Sequence, residues 1–131
     1  MDTPYERLVE VARRLRAATD EGQVDWTAED DTSFLWNGSS GAISVRSRDG
    51  DGEEPFELDV FSAAKQKVET LGSEWTEDEQ PAPWNEALTR LYRAARRKAL
   101  GVDRILDDLL AELPTAHDDA ASTSASRLSE Y

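Results

Sequence analysis

Two segments in the middle of the chain alternate apolar and polar residues, as half-buried β-strands do. Residues 42–48 read AISVRSR, residues 56–60 read FELDV, and the polar stretch DGDGEE lies between them. One antiparallel register puts the large apolar residues on one face and an opposite-charge pair on the other. Its pairs are Ile43 with Val60, Val45 with Leu58, Arg46 with Glu57, and Ser47 with Phe56. Because a slip of one residue would move every side chain to the other face, the sequence predicts this hairpin in this register.

A strand is also expected before the hairpin, over residues 32–37. The connecting sequence, NGSSG, is rich in residues that tolerate positive φ. Pairing Trp36 with Ile43 then places Phe34 beside Val45 on the same apolar face.

Two weaker segments extend the sheet. A return strand is expected over about residues 66–71, although Val68 and Leu71 point to opposite faces of an ideal strand. Val24 and Trp26 alternate with polar neighbours, which is compatible with a short first strand. Together these segments predict an antiparallel meander of four to five strands.

Three segments with apolar residues at helical spacing flank the strands. The first begins at the capping residue Thr3 and ends near Gly22. The second ends at Gly101, and the third is capped by Asp103 and stopped by Pro114. A one-sided sheet needs a cover, so the expected fold is α+β: an N-terminal helix, the β-meander, and two C-terminal helices packed on one sheet face.

Length and composition set the domain organisation. The chain has 131 residues, enough for a single core, and its final part consists mostly of Ala, Ser, Thr and Asp. We expect one α+β domain over residues 1–114 and a disordered polar tail over residues 115–131. With no cysteine, the chain has no thiolate nucleophile or ligand. No signal-peptide pattern or membrane-spanning run is visible, so a cytoplasmic location is expected.

The charge of the chain bears on its partners. The net charge is -13, which disfavours nucleic-acid phosphate and anionic membranes and suits a basic protein partner. We therefore expect no nucleic-acid partner and no membrane partner. The oligomeric state is open.

No motif in the sequence indicates a catalytic, cofactor-binding or metal-binding site. His117, the only histidine, lies in the expected tail, where nothing would position it for acid–base catalysis. The stretch DGDGEE resembles the start of a calcium loop. However, counting from Asp49, the positions that need Gly and Glu hold Glu54 and Val60. A hairpin tip facing solvent explains this stretch better.

The only basic cluster lies in the second helix, where Arg90, Arg93 and Arg97 share one helical face. A helix-turn-helix is disfavoured, because the following helix is acidic where a DNA-reading helix would be basic. Arginine and tryptophan are both frequent anchors of protein interfaces, and Trp75 lies in the linker that enters the helix. These four residues are the candidate protein-binding site. Pairing of the arginines with the chain's own carboxylates is an equally acceptable interpretation.

The four tryptophans divide into two groups. Trp36 and Trp84 fit the apolar faces of their elements and are expected in the core. Trp26 and Trp75 lie in acidic stretches and are expected at its rim.

Three hypotheses about function follow. The first is a non-catalytic accessory protein that binds another protein, as a regulator, an adaptor or an antitoxin- or immunity-like neutraliser. The second is a small enzyme or ligand-binding domain that uses carboxylates on the uncovered sheet face. The third is an acidic mimic of nucleic acid. The absence of a catalytic constellation in the sequence favours the first.

Overall fold

The computed structural model describes residues 4–115 of the chain. The elements in order are α1 (Pro4–Asp20), β1 (Thr27–Asp30), β2 (Ser33–Asn37), β3 (Gly41–Ser47), β4 (Phe56–Ser62), β5 (Lys67–Gly72), α2 (Asn85–Leu100) and α3 (Val102–Glu112). The predicted fold class is confirmed: the protein is α+β, with an N-terminal helix, a five-stranded antiparallel meander and two C-terminal helices. Thr3 and residues 116–131, which hold the predicted first cap and nearly all of the predicted tail, lie outside the described residues.

The chain divides into two compact units, with the boundary between Gly101 and Val102. The first unit contains α1, the sheet and α2, and α3 belongs to the second. The assignment of residues 1–114 to one domain stays a prediction.

The sheet has the strand order β1-β2-β3-β4-β5, so every strand pairs with its neighbour in the chain. The predicted register of the central hairpin is confirmed at Ile43–Val60, Val45–Leu58, Arg46–Glu57 and Ser47–Phe56. The predicted β2–β3 pairs, Trp36–Ile43 and Phe34–Val45, are also present. The apolar pairs therefore form a continuous face across three strands.

An irregularity in the β4–β5 ladder explains the mixed pattern of the last strand. Val60 pairs with Glu69 and Phe61 with Lys67, so Val68 is an extra residue between two paired positions. Val68 is 54% exposed, whereas Leu71 is 1% exposed and pairs with Leu58. The two side chains thus lie on opposite faces, as their spacing predicts.

The expected strand at Val24 and Trp26 is wrong, because β1 begins only at Thr27. The expected position of Trp26 at the rim of the core is also wrong: the side chain is 5% exposed and belongs to the core. Its indole N–H donates to the Thr19 hydroxyl over 2.9 Å. That hydroxyl donates in turn to the Leu15 carbonyl over 2.6 Å. The indole therefore buries its apolar body with its one polar group satisfied.

The core lies between the sheet and α2, and α1 packs against α2. The helices contribute the buried residues Leu8, Ala12, Leu15, Leu88, Leu91, Tyr92 and Ala95. The sheet contributes Phe34, Ile43, Val45, Phe56, Leu58 and Leu71. Burial of Val45, Leu58 and Leu91 confirms the predicted centre of the core.

The end of α2 is as predicted and the beginning of α3 is not. Gly101 has a φ of 65°, a left-handed conformation that glycine adopts without a Cβ clash, and its N–H bonds to carbonyls in the last turn of α2. α3 begins at Val102, directly after this residue. Asp103 therefore lies in the first helical turn rather than at the cap, where its negative charge still suits the helix dipole.

Candidate protein-binding surfaces

The arginines of the predicted docking surface lie on the exposed side of α2. Arg90, Arg93 and Arg97 are exposed, and the buried residues of α2 occupy the opposite side of the helix. The Arg90 guanidinium Nη2 lies 2.6 Å from the Glu86 carboxylate, one turn earlier. Arg97 also interacts with another group of the chain. The surface is accessible, but part of its charge is balanced within the protein.

Trp75 lies in the loop that leads into α2 and is 46% exposed. The loop is tied to the first turn of that helix, because Glu74 exchanges two hydrogen bonds with the Asn85 side chain, over 3.0 and 2.8 Å. Arg97 lies farther along α2, about 18 Å from Asn85 at the helical rise per residue. The structure thus places Trp75 at the opposite end of α2 from Arg97. A single surface that includes all four predicted residues stays a prediction.

A shallow groove between α1 and α2 brings together arginines that lie far apart in the sequence. Its volume is about 290 Å³, and its lining includes Arg13 and Arg16 from α1 and Arg90 and Glu86 from α2. Arg16 is also paired with Asp20 over 2.9 Å. Sequence reasoning missed Arg13 and Arg16 because the packing of α1 on α2 sets their distance from Arg90, and no local pattern encodes that packing.

The uncovered face of the sheet carries a network of paired charges around Asp59. Asp59 is buried, and its Oδ1 accepts a hydrogen bond of 2.7 Å from the Thr70 hydroxyl. Its Oδ2 lies 3.3 Å from the Arg46 guanidinium Nε, and Lys67 Nζ lies 3.7 Å from Oδ1. Arg46 also approaches Glu57 to 2.6 Å. Each of these carboxylates therefore has cationic partners from neighbouring strands.

This pairing limits what the sheet face can do chemically. Catalytic acid–base work needs a carboxyl group that can approach a substrate. The Asp59 carboxylate is instead covered by its own partners, with 4% of its side chain exposed. The face also interleaves Arg46 and Lys67 with the acids rather than presenting a stripe of negative charge.

In the hairpin tip that resembles a calcium loop, the Asp51 carboxylate is hydrogen-bonded to other groups of the tip. Asp51 Oδ1 accepts hydrogen bonds of 3.0 Å from the Glu53 backbone N–H and from the Ser47 hydroxyl. The Glu53 backbone hydrogen bond lowers the pKa of Asp51 below its usual range. Within residues 4–115, no group of three or more His, Cys, Asp or Glu side chains is arranged to hold a metal ion.

α3 and the residue directly after it carry a stripe of large apolar side chains that are exposed. The stripe consists of Ile105, Leu106, Leu109, Leu110 and Leu113, and each is between 46% and 68% exposed. None of the residues of α3 is buried. We call these five residues the α3 stripe. The periodicity of the sequence identifies the stripe, but the same periodicity fits a core-facing helix, so the exposure of these side chains could not be predicted.

None of the described helices is both long enough and apolar enough to cross a membrane. Comparison of the chain with models of known families, with curated proteins and with solved structures finds no significant match.

Proposed function

We propose that this protein is a non-catalytic, cytoplasmic protein that binds another protein, as a regulator, an adaptor or an antitoxin- or immunity-like neutraliser. The observation that carries the proposal is the α3 stripe. Scattered exposed apolar side chains are ordinary, whereas a contiguous group of them marks an interaction surface. Four such residues on one face of a single short helix, with Leu113 directly after its end, form a contiguous group.

The length of α3 supports the same conclusion. The helix has 11 residues, and isolated helices shorter than about 12–15 residues are marginal in water. Most of the stability of a short helix comes from packing of its apolar face. A partner that covered the α3 stripe would therefore stabilise α3 and bury its leucines together.

The sheet face supports this function over the two alternatives. An enzyme or ligand-binding domain of the second hypothesis would need accessible carboxylates, and Asp59 is enclosed by Arg46, Thr70 and Lys67. A mimic of nucleic acid would need an unbroken stripe of negative charge, and cations interrupt the charges on this face.

The exposed arginines of α2 form a second candidate surface, which lies on the first unit of the chain. Arg90, Arg93 and Arg97 can engage carboxylates of a partner, and Trp75 offers an aromatic contact at the start of the helix. Because these charges are exposed, their contribution to binding would weaken as salt rises.

The test compares partner capture by three versions of the immobilised protein in lysate of the native host. The wild-type chain is compared with Leu106→Ser/Leu110→Ser, which breaks the stripe, and with Val68→Ser. Val68 is the matched control, since it is an equally exposed apolar residue on β5. The wild type and the control should recover the same protein. The stripe variant should recover at least about tenfold less, as expected when interface anchors are lost.

Equal recovery by all three proteins, or no recovery above bare resin, would contradict the proposed function. A fourth variant, Arg93→Glu/Arg97→Glu, tests the arginine surface of α2. Its circular dichroism spectrum should be unchanged, and it should also fail to recover the partner. Full recovery of the partner by this variant would show that the arginines of α2 do not take part in binding.

A further inference from the structure

Acidic side chains border the α3 stripe on both of its edges. At about 100° per residue, the five apolar residues span about 140° of the helix circumference. Asp107 lies beyond one edge of that arc, and Asp108 and Glu112 lie beyond the other. Arg104 is the only basic residue of the helix and lies on the back, away from the stripe. The stripe is therefore an apolar strip between two negative edges.

We propose that the α3 stripe binds a basic amphipathic helix of another protein, with lysine or arginine on both sides of its own apolar face. Residues that flank an apolar helix seam pair across it and determine which partner is accepted. A partner of this kind would cover the leucines and neutralise Asp107, Asp108 and Glu112 at once. The inference rests on the proposed function and adds the chemistry of the partner.

A second copy of the chain does not fit the same surface. In either direction, two α3 helices packed stripe to stripe would set acidic edges against acidic edges. Like charges at these positions oppose pairing. The net charge of -13 on each chain would add repulsion between the two copies at longer range.

The remaining part of the chain does not have the required composition either. Residues 116–131 contain Asp118, Asp119 and Glu130 against a single basic residue, Arg127. Their large apolar residues are only Leu128 and Tyr131. The sequence that follows α3 is thus acidic and apolar-poor, whereas the stripe calls for a basic and apolar segment.

Binding of synthetic peptides to the full chain tests the inference. The probe is a peptide of about 18 residues, roughly five helical turns, with leucine at helical spacing and lysine elsewhere. A matched acidic peptide carries glutamate in place of every lysine. A scrambled peptide has the composition of the probe without its helical spacing. Titration calorimetry measures the affinities. The buffer contains about 0.1 M NaCl, because this salt partly screens attraction to the net charge alone.

The wild-type chain should bind the basic peptide at least about tenfold more tightly than the acidic or the scrambled peptide. Leu106→Ser/Leu110→Ser should weaken that binding by at least about tenfold. The decisive variant is Asp107→Lys/Glu112→Lys, which makes one charge on each edge basic. It should reverse the preference, so that the acidic peptide binds more tightly than the basic one. General attraction between net charges would not reverse it, because the variant chain is still strongly negative.

Three results would overturn the inference. The first is equal binding of the basic and the scrambled peptide, and the second is unchanged binding by the serine variant. The third is a wild-type dimer in sedimentation velocity that Leu106→Ser/Leu110→Ser dissociates, because the occupant would then be a second copy. If the peptides fail while capture from lysate still depends on the stripe, the proposed function stands and only the partner chemistry is wrong.

Discussion

The guanidinium Nε of Arg46 lies 3.3 Å from the carboxylate of Asp59, a side chain that is only 4% exposed. The two residues lie on adjacent strands, on the sheet face opposite Leu58. Removing one partner of a buried charge pair leaves the other charge poorly compensated. We expect Arg46→Met to lower the free energy of unfolding by about 1–3 kcal/mol. The loss should not be larger, because Thr70 and Lys67 still contact Asp59 in the variant. Urea denaturation measures the change.

Arg48→Met is the matched control for this prediction. Arg48 follows directly after β3. Its Nε is 3.9 Å from Glu57, its side chain is 41% exposed, and its other polar contact is a long hydrogen bond of 3.5 Å to the Ser73 carbonyl. Exposed pairs of this kind contribute about 0–1 kcal/mol. If the two variants lost the same stability, Asp59 would not depend on Arg46.

A second prediction concerns the centre of the core. Leu58 of β4 is fully buried on the sheet face that packs against α2. Leu58→Ala should therefore lower the free energy of unfolding by about 2–5 kcal/mol. Val68→Ala, an exposed change on the neighbouring strand, should stay within about 0.5 kcal/mol of the wild type. A loss below about 1 kcal/mol for Leu58→Ala would be too small for a well-packed core site.

The register of the hairpin could be predicted because two independent requirements agree on it. The pairing of Val45 with Leu58 collects the apolar residues on one face, and it also sets Arg46 against Glu57. Strand alternation and charge pairing are local properties that a sequence displays directly. The same holds for the end of α2 at Gly101, where the need for positive φ selects glycine.

Features that depend on packing between elements could not be predicted. The buried indole of Trp26 donates a hydrogen bond to Thr19 of α1, a contact between two elements that the acidic sequence around the indole does not indicate. The groove with Arg13 and Arg90 requires the contact between α1 and α2. For the α3 stripe, periodicity identifies the apolar face, but burial depends on what lies against it.

A third prediction concerns acid. The Glu53 backbone N–H, and then the Ser47 hydroxyl, hold the pKa of Asp51 below its usual range. A lowered folded-state pKa means that the ionised carboxylate stabilises the fold above the unfolded-state pKa of about 4. This stability is lost as the pH falls through the folded-state pKa. The melting temperature of the wild type should therefore exceed that of Asp51→Asn at about pH 6, and the difference should shrink toward about pH 2.

Asp49→Asn is the control, because Asp49 is an exposed carboxylate in the same turn. It removes the same unit of charge without removing the Asp51 hydrogen bonds. Thermal melts followed by circular dichroism give the comparison. A difference between wild type and Asp51→Asn that does not change with pH would mean that the carboxylate charge is not what stabilises the tip.

The last prediction concerns the pair that joins α1 to the chain before β1. The Thr19 hydroxyl accepts the Trp26 indole N–H over 2.9 Å, and both residues are buried. Thr19→Val keeps the shape of the side chain but leaves the indole N–H without this acceptor, which should cost about 1–3 kcal/mol of unfolding free energy. In the Trp26→Phe background the same substitution should cost less, because no buried donor remains to be left unpaired. The four proteins form a double-mutant cycle, measured by urea denaturation, with an expected coupling of about 0.5–3 kcal/mol. A coupling near zero would show that Thr19 stabilises the fold through its hydrogen bond to Leu15 or through packing alone. It would also show that the apolar core holds Trp26 without help from this hydrogen bond.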